Sequence, residues 1–212
     1  WNEEHEGKKR FNSREDVRTM LRTTLSDMVT QGTPPDVITF AGNGEPTMHP
    51  DFEQIIDDTI ALRDELCPSA KVSVLSNATQ IGRADVVRAL LKVDNNILKL
   101  DSAFDPTVQL LNKPVGKYSV AQVVEWMKQF HGNMILQTMF LRGEYLGHKI
   151  DNTTEQEVLA WLNLVKEIAP KKVMVYSIDR DTPCQTLEKV SKEELSEIAS
   201  QVEALGIECS VA

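Results

Sequence analysis

Short runs rich in β-branched and aliphatic residues alternate with amphipathic stretches along most of the chain, and this alternation limits the fold more than any other feature. Repeated strand–helix units join parallel strands through right-handed crossovers. The sequence therefore predicts an α/β fold with outer helices, although the strands alone do not separate a barrel from an open doubly wound sheet. Six strands are predicted, at residues 37–41, 72–75, 97–100, 134–141, 173–176 and 207–211.

Helix starts are marked by hydroxyl residues followed three positions later by Glu or Gln, the pattern of a capping box. These pairs are Ser119 with Gln122, Thr154 with Glu157, and Ser191 with Glu194. Apolar residues at helical spacing predict further helices over 13–30, 50–66 and 84–93, and a short one from Asp105. Pro50 suits the first turn of the second of these helices.

Length and charge restrict the class of protein. The 212 residues contain no low-complexity tract or long linker, so we expect one domain over residues 1–212. The formal net charge of −9 argues against a nucleic-acid-binding surface, and Lys8-Lys9-Arg10 is too short to reverse it. No run reaches the ~20 apolar residues of a membrane span, and the polar start does not resemble a signal peptide. We expect a cytoplasmic protein.

The three cysteines, Cys67, Cys184 and Cys209, are far apart in the sequence. No pair has the spacing of a zinc site or a redox motif, so we predict unpaired, reduced thiols and no metal ligands in this chain. Cys67 and Cys209 are expected to pack as small apolar side chains.

Polar residues follow the strands at their carboxyl ends, where α/β folds bind ligands. The most informative group is the turn after the first strand. Gly42 and Gly44 allow a close backbone approach, and Glu45, held by Pro46, can accept hydrogen bonds from a ligand ammonium group. A plain turn with a solvated glutamate remains an alternative. The turn lacks the third glycine of a dinucleotide-binding fingerprint.

The later strands contribute more polar candidates. Asn77 suits a ribose hydroxyl or a carboxylate, but it also suits a left-handed turn position. Lys99 and Asp101 can form an interior salt bridge or bind substrate, and a buried Gln137 needs a hydrogen-bond partner. His49 could reach a ligand, although a histidine at this position more often caps the following helix.

The segment Phe40-Ala41-Gly42-Asn43-Gly44-Glu45-Pro46-Thr47-Met48-His49-Pro50-Asp51-Phe52 resembles the GGEP motif of radical S-adenosylmethionine (SAM) proteins. Asn43 replaces one glycine of that motif, a form similar to the Fe–S oxidoreductase branch related to the wyosine-forming tRNA enzymes. Three later segments resemble further family motifs in the same order: Leu75-Ser76-Asn77-Ala78-Thr79, Leu98-Lys99-Leu100-Asp101-Ser102 with Leu111-Asn112-Lys113-Pro114, and Val175-Tyr176-Ser177.

This resemblance implies a partial (β/α)6 TIM-like barrel that binds SAM and a [4Fe–4S] cluster, and an enzyme that generates a 5′-deoxyadenosyl radical. It places Gly44 and Glu45 at the methionine ammonium, and Asn77, with Ser76, near the carboxylate or ribose. The cofactor-binding residues implied by the resemblance are Gly42, Asn43, Gly44, Glu45, Pro46, Ser76, Asn77, Asp101, Gln137, Tyr176 and Ser177.

One feature of the family is missing from this sequence. Radical SAM proteins hold their cluster with three cysteines, usually in a CxxxCxxC loop after the first strand, and no such loop occurs here. We therefore expect an N-terminally incomplete barrel that is inactive by itself and self-associates through an unpaired strand edge. A degenerate, non-catalytic barrel and an ordinary barrel lyase or isomerase are the alternatives. The substrate, whether tRNA, peptide or small molecule, stays open.

Overall fold

The computed structural model describes residues 11–42, 44–145, 147–178 and 186–212. Within these ranges, six strands form an open sheet in the order β1-β2-β3-β4-β7-β9, and three more form a small sheet in the order β6-β5-β8. The strands of the six-stranded sheet are β1 Val37–Phe40, β2 Lys71–Ser76, β3 Asn95–Lys99, β4 Ile135–Met139, β7 Lys172–Tyr176 and β9 Glu208–Val211. The small sheet consists of β5 Leu141–Tyr145, β6 His148–Asp151 and β8 Leu187–Lys189.

The helices alternate with the strands of the six-stranded sheet. They are α1 Arg14–Thr30, α2 Phe52–Leu66, α3 Ala84–Lys92, α4 Asp105–Asn112, α5 Val120–Met127, α6 Glu155–Ile168 and α7 Lys192–Glu203. All six predicted strands and the predicted fold class are confirmed: parallel strands alternate with helices, as in a partial TIM-like barrel whose sheet is not closed.

Contacts divide the chain into two compact units. The N-terminal unit contains the described residues up to Ser76 together with Gln80–Asn96. The C-terminal unit contains Asn77–Thr79 and the described residues from Ile97 onward. The expectation of one domain over residues 1–212 stays a prediction.

The N-terminal unit is built by helices that pack beside β1 and β2. Ser13 caps α1 with the reciprocal hydrogen bonds of a capping box, in which Asp16 is the partner. One turn of α1 buries Leu25 against Leu62 and Cys67, and Ile38 of β1 packs on the same cluster. Removing these apolar side chains from water stabilises the unit. Cys67 thus packs as a small apolar side chain, as predicted.

The C-terminal unit has a core of buried aromatic and aliphatic side chains. Trp161 of α6 lies edge-on to Phe140, with ring centroids 5.3 Å apart. Its indole N–H donates to the hydroxyl of Thr138 at 3.1 Å, so the polar end of this buried side chain is satisfied. Ser191 and Glu194 form the predicted reciprocal capping box at α7. Thr154 caps α6 by accepting from the N–H of Glu157, but the Glu157 carboxylate accepts from the hydroxyls of Ser102 and Thr107 and does not close the predicted box.

The structure corrects several sequence-based expectations. The fourth predicted strand ends at Met139, and the chain then enters β5 of an antiparallel sheet that the sequence did not predict. Helix α2 begins at Phe52 rather than at Pro50. Ser119 accepts a hydrogen bond from the backbone N–H of Gln122, but Gln122 does not close the predicted capping box within the described residues. The small sheet was missed because its strands are short and only weakly alternating, so period-2 patterning is hard to detect.

Candidate functional site

The turn after β1 has a backbone that only glycine adopts easily. Gly42 and Gly44 have φ values of 121° and 152°, and the N–H of Gly44 donates to the carbonyl of Gly42 at 2.7 Å. A Cβ atom built on either glycine would meet no atom of the described residues within 4 Å. The tight turn therefore leaves open space in front of its backbone, as a ligand cradle requires. Asn43, a predicted cofactor-binding residue, lies outside the described residues.

Glu45 is held in place by the residues that follow it. It precedes the short 3-10 helix Pro46–Met48, and its Oε1 accepts from the backbone N–H of Thr47 at 3.2 Å and from the Thr47 hydroxyl at 2.5 Å. Thr47 is fully buried. Pro46 occupies the first turn, where its missing N–H has no consequence. The glutamate is therefore an oriented carboxylate, which differs from the solvated side chain of a plain turn.

Arg83 anchors the same segment from a distant part of the sequence. Its Nη1 donates to the carbonyl of Thr47 at 3.2 Å, while its Nε and Nη2 bind the carboxylate of Asp85 at 3.2 and 2.5 Å. The Arg83 guanidinium holds the pKa of Asp85 below its ordinary value. Neither Thr47 nor Arg83 was singled out from the sequence, since nothing local indicates that Arg83 reaches a segment 36 residues away.

His49 serves the structure of the N-terminal unit. Its Nδ1 accepts from the N–H of Asp51 at 3.0 Å, but Asp51 and not His49 is the N-cap of α2, so the interpretation of His49 as a capping residue is not confirmed. Its Nε2 lies 2.9 Å from the carbonyl of Asn12, and its ring lies 4.9 Å from that of Phe11. Both ring nitrogens are thus engaged with the protein.

Ser76 and Asn77 stand at the carboxyl end of β2. Ser76 is buried in the N-terminal unit, whereas Asn77 is exposed and belongs to the C-terminal unit. Asn77 Oδ1 accepts from the N–H and the hydroxyl of Thr79 at 3.0 and 2.7 Å, which makes it an Asx-turn residue. The left-handed position of this turn is taken by Ala78, with φ 64°, rather than by Asn77.

Asp101 is the most deeply buried of the predicted site residues. Its Oδ1 accepts from the N–H of Met139 at 2.8 Å, and its Oδ2 lies 3.1 Å from Lys99 Nζ. The predicted interior salt bridge between Lys99 and Asp101 is therefore confirmed. Burial, the largest single influence, would lower the pKa of Lys99, but the charge and hydrogen bond of Asp101 together with the nearby Tyr176 outweigh it, and the pKa is raised. Lys99 is accordingly held in its cationic form.

Gln137 and Tyr176 lie on the face of the sheet that carries Lys99. Gln137 pairs with Lys99 across β3 and β4, and Met139 pairs with Tyr176 across β4 and β7. The Gln137 side chain has no hydrogen-bond partner within the part of the chain that the structure describes. Burial raises the pKa of Tyr176 above its ordinary value. A cavity of about 270 Å³ is lined here by Gln137, Met174, Val175, Tyr176, Ser177, Lys189 and Ala212.

Ser177 and the backbone of Tyr176 already make hydrogen bonds inside the C-terminal unit. The Ser177 hydroxyl donates to the carbonyl of Phe140 at 2.7 Å and accepts from the N–H of Val190 at 2.9 Å. The carbonyl of Tyr176 accepts from the N–H of Phe140 at 2.8 Å. These contacts fix the strand ends around the cavity.

Asn152 organises the same strand ends and was not identified from the sequence. It is 1% exposed. Its Nδ2 donates to the carbonyls of Asp101 and Met139 at 2.8 and 2.7 Å, and its Oδ1 accepts from the N–H of Leu141 at 2.8 Å. One amide therefore joins the ends of β3 and β4 to the start of β5. Asn152 follows a short strand that the sequence did not predict, so no sequence pattern indicated that it would bind the other strand ends.

The described residues do not fit a [4Fe–4S] cluster. Across the ranges that the structure describes, no three Cys, His, Asp or Glu side chains are close enough to hold a metal ion. Cys67 is buried in the apolar core, and burial raises the pKa of Cys209 to about 11, which disfavours the thiolate that a cluster requires. Cys184 lies outside the described residues. None of the described helices is long and apolar enough to cross a membrane.

Comparison with protein families found no matching family model. Among curated proteins, the chain is 30% identical over 154 residues to a UPF0026 protein of Synechocystis sp.. That alignment covers 71% of this chain and 53% of the relative, so the chain spans about half of the relative's length.

Several solved structures share the fold. A radical SAM methyltransferase from Sphaerobacter thermophilus superimposes with a TM-score of 0.73 at 14% identity, over 97% of this chain and 59% of that protein. Streptococcus suis SuiB, solved with its precursor peptide SuiA, gives 0.67 at 13% identity over 97% of this chain and 43% of SuiB. SuiB has also been solved bound to SAM.

Archaeal TYW1 gives a TM-score of 0.61 at 13% identity, over 96% of this chain and 68% of that protein. At these identities the superpositions establish the fold alone. The resemblance seen in the sequence motifs is thus confirmed at the level of architecture. The chain has the fold of the radical S-adenosylmethionine enzymes.

Proposed function

We propose that this chain is the SAM-binding core of a radical SAM enzyme whose [4Fe–4S] cluster is held by residues outside the 212-residue sequence. The observation that carries the proposal is the superposition of 97% of the chain on a radical SAM methyltransferase. The aligned region covers only 53% of the UPF0026 relative. This supports the proposal that the cluster ligands lie in a longer protein. Fold by itself does not define a reaction, so the residues of the site must support the proposal independently.

In the N-terminal unit, the turn after β1 suits the amino acid end of SAM. The open space before Gly42 and Gly44 admits a ligand to the backbone, and the oriented Glu45 carboxylate can accept from an ammonium group. Pro46 stiffens the segment that follows. Asn43 belongs to this turn by sequence.

In the C-terminal unit, the cavity beside Gln137 and Tyr176 suits a nucleoside. It combines apolar walls from Met174 and Ala212 with the amide of Gln137, which supports a planar base with polar edges. The remaining proposed contacts are Ser76 and Asn77 for the carboxylate or ribose, and Ser177 beside the base. Asp101 would act by holding the ends of β3 and β4, because both of its oxygens are engaged with the protein.

SAM bound to a reducible cluster supplies a 5′-deoxyadenosyl radical. The described residues provide no thiolates for that cluster, so binding and orienting SAM is the role that we assign to them.

The contacts of Lys99 argue against an ordinary barrel aldolase. Such an enzyme needs a neutral lysine to form an imine, and its pKa must therefore be low. Asp101 has the opposite effect on Lys99, whose pKa is raised. A non-catalytic barrel remains as an alternative, which experiment can separate from the proposal.

Two measurements test the proposed function. Anaerobic reconstitution of the full-length protein should give a cluster spectrum and 5′-deoxyadenosine, and a fully reconstituted protein that never cleaves SAM would exclude the radical enzyme. Isothermal titration calorimetry of the 212-residue chain should detect SAM binding. Gln137→Leu should weaken that binding about fivefold, the effect of one lost hydrogen bond, without changing stability.

The substrate class is left open by the residues of the site. A peptide, a tRNA and a small molecule are all compatible with the site, while the net charge of −9 disfavours RNA. We further propose a cytoplasmic location and self-association of this chain through β1. This strand ends the sheet order, and its Val37 is 47% exposed. Light scattering that shows a clean monomer would contradict the self-association.

A further inference from the structure

Thr47 combines complete burial with two hydrogen bonds to a single carboxylate oxygen. Its backbone N–H and its hydroxyl both donate to Glu45 Oε1, at 3.2 and 2.5 Å. The two residues are only two positions apart in the sequence. Their contact therefore orients the Glu45 side chain and does not join distant parts of the fold. A glutamate side chain has several rotatable bonds, and two donors on one oxygen select among its rotamers.

Arg83 fixes Thr47 in turn. Its Nη1 donates to the Thr47 carbonyl at 3.2 Å, and the rest of its guanidinium is held by Asp85 in a two-point contact. A planar guanidinium bound at two points loses little freedom when it makes a third hydrogen bond. The start of α3 is thereby connected, through Asp85, Arg83 and Thr47, to the carboxylate of Glu45.

We infer that Thr47 and Arg83 are positioning residues that orient Glu45 for the α-ammonium group of SAM. The inference rests on the proposed function, since it assumes that Glu45 meets this ammonium. It goes further by assigning the selectivity of the site for the amino acid end of the ligand to two residues that do not touch the ligand.

The selectivity has a measurable consequence. 5′-Methylthioadenosine carries the nucleoside and sulfur of SAM but lacks the amino acid portion. A residue that acts through Glu45 should alter the affinity for SAM and leave the affinity for methylthioadenosine unchanged. A residue that merely stabilises the fold should alter both affinities or neither.

The test measures both dissociation constants by calorimetry for Thr47→Val and Thr47→Ser. Valine keeps the shape of threonine and removes the hydroxyl, so we expect SAM to bind about tenfold more weakly and methylthioadenosine to bind as before. Serine retains the hydroxyl and should restore SAM binding to within about twofold of the original protein.

Arg83→Met provides a second and independent variant. We expect it to weaken SAM binding about threefold to tenfold, again without an effect on methylthioadenosine. Arg88→Met is its matched control, because Arg83 is the N-cap of α3 and Arg88 lies within α3 but binds Glu53 instead of the turn. If Thr47→Val does not fold, as judged by circular dichroism, Arg83→Met decides the question.

A double-mutant cycle identifies the route of the effect. In a Glu45→Gln background, Thr47→Val should cost little further SAM affinity, since the carboxylate that it orients is gone. Equal SAM affinity of the original and Thr47→Val proteins, or equal losses for both ligands, would overturn the inference and leave the proposed function standing. If the original chain binds methylthioadenosine and SAM equally, the inference fails and the proposed function stands. If it binds neither of them, the proposed function fails and the inference fails with it.

Discussion

The two compact units rely on different kinds of polar contact. In the N-terminal unit, arginines of α1 and α3 form two-point ion pairs with carboxylates of α2 on the surface. These are Arg14 with Asp58, Arg22 with Glu65, and Arg88 with Glu53, at 2.6 to 2.9 Å. Water and salt reach such pairs, so each adds little to stability.

In the C-terminal unit, the characteristic contacts are buried and uncharged. Asn152 and Ser177 bond to backbone groups at the ends of the strands, and Thr138 bonds to Trp161. Ion pairs such as Arg142 with Glu194 occur here as well. The buried hydrogen bonds contribute more to stability. When one partner is removed, the other polar group stays buried where water cannot replace the lost hydrogen bond.

The comparison suggests where each unit can tolerate substitution. Helices of the N-terminal unit can lose a surface pair and retain their apolar contacts around Leu25. The strand ends of the C-terminal unit depend on a few amide and hydroxyl groups. Because these strand ends also line the proposed nucleoside cavity, their rigidity would contribute to binding.

Asn152→Asp should have the largest effect. The substitution keeps the shape but places a carboxylate against the carbonyls of Asp101 and Met139, and we expect a loss of about 3–5 kcal/mol in the free energy of unfolding. Asn133→Asp is the control, because Asn133 is exposed and its neighbour Lys171 would accommodate the charge. Urea denaturation measures the free energy of unfolding of both variants. Similar losses for the two variants would contradict the greater importance of the buried hydrogen bonds.

Gly143→Ala should come next. Gly143 of β5 has φ 132°, and an added Cβ would collide with the carbonyl of Thr186 and the Cα of Leu187 beside β8. We expect a loss of about 2–3 kcal/mol from strain and displacement of the small sheet. Gly116→Ala shares a positive φ of 85°, but its added Cβ would meet nothing within 4 Å in the part of the chain that the structure describes, so it should cost clearly less. Equal costs in thermal unfolding would show that β5 and β8 do not approach so closely.

Asn96→Leu tests an exception in the N-terminal unit. Asn96 is 2% exposed, and neither polar atom of its side chain has a hydrogen-bond partner among the described residues. Leucine has the same branching without polar atoms, so we expect stabilisation by about 1 kcal/mol. Asn95→Leu should be neutral or destabilising, since Asn95 donates to the Ser73 hydroxyl at 2.9 Å. A destabilised Asn96→Leu protein in urea titration would indicate that Asn96 is satisfied.

Arg22→Gln should have the smallest effect, and that effect should depend on salt. The Arg22 guanidinium lowers the pKa of Glu65, so the pair contributes above the ordinary glutamate pKa and its contribution is lost as the pH falls through the lowered value. The difference between the two proteins in melting temperature should vanish in about 0.5 M NaCl and at low pH. A difference in melting temperature that persists in salt would show that the pair of Arg22 and Glu65 is not a weak, screened surface pair.

Much of the candidate site could be predicted from the sequence because its residues follow strands that are themselves predictable. The glycine turn at 42–44, Glu45 and the pair of Lys99 with Asp101 all come directly at strand ends. Arg83 and Asn152 could not be predicted, because each acts on residues far away in the chain through hydrogen bonds to backbone carbonyls. Any residue has such a carbonyl, so no sequence pattern marks the partner.

The sequence by itself determined the succession of strands and helices, since apolar periodicity and capping residues act over a few positions. It also determined which strand ends are polar. Only the tertiary structure decided that the chain leaves β4 for a second, antiparallel sheet, and that Arg83 binds the carbonyl of Thr47. These features depend on contacts between distant residues, whose formation follows from packing and the satisfaction of buried polar groups rather than from local preference.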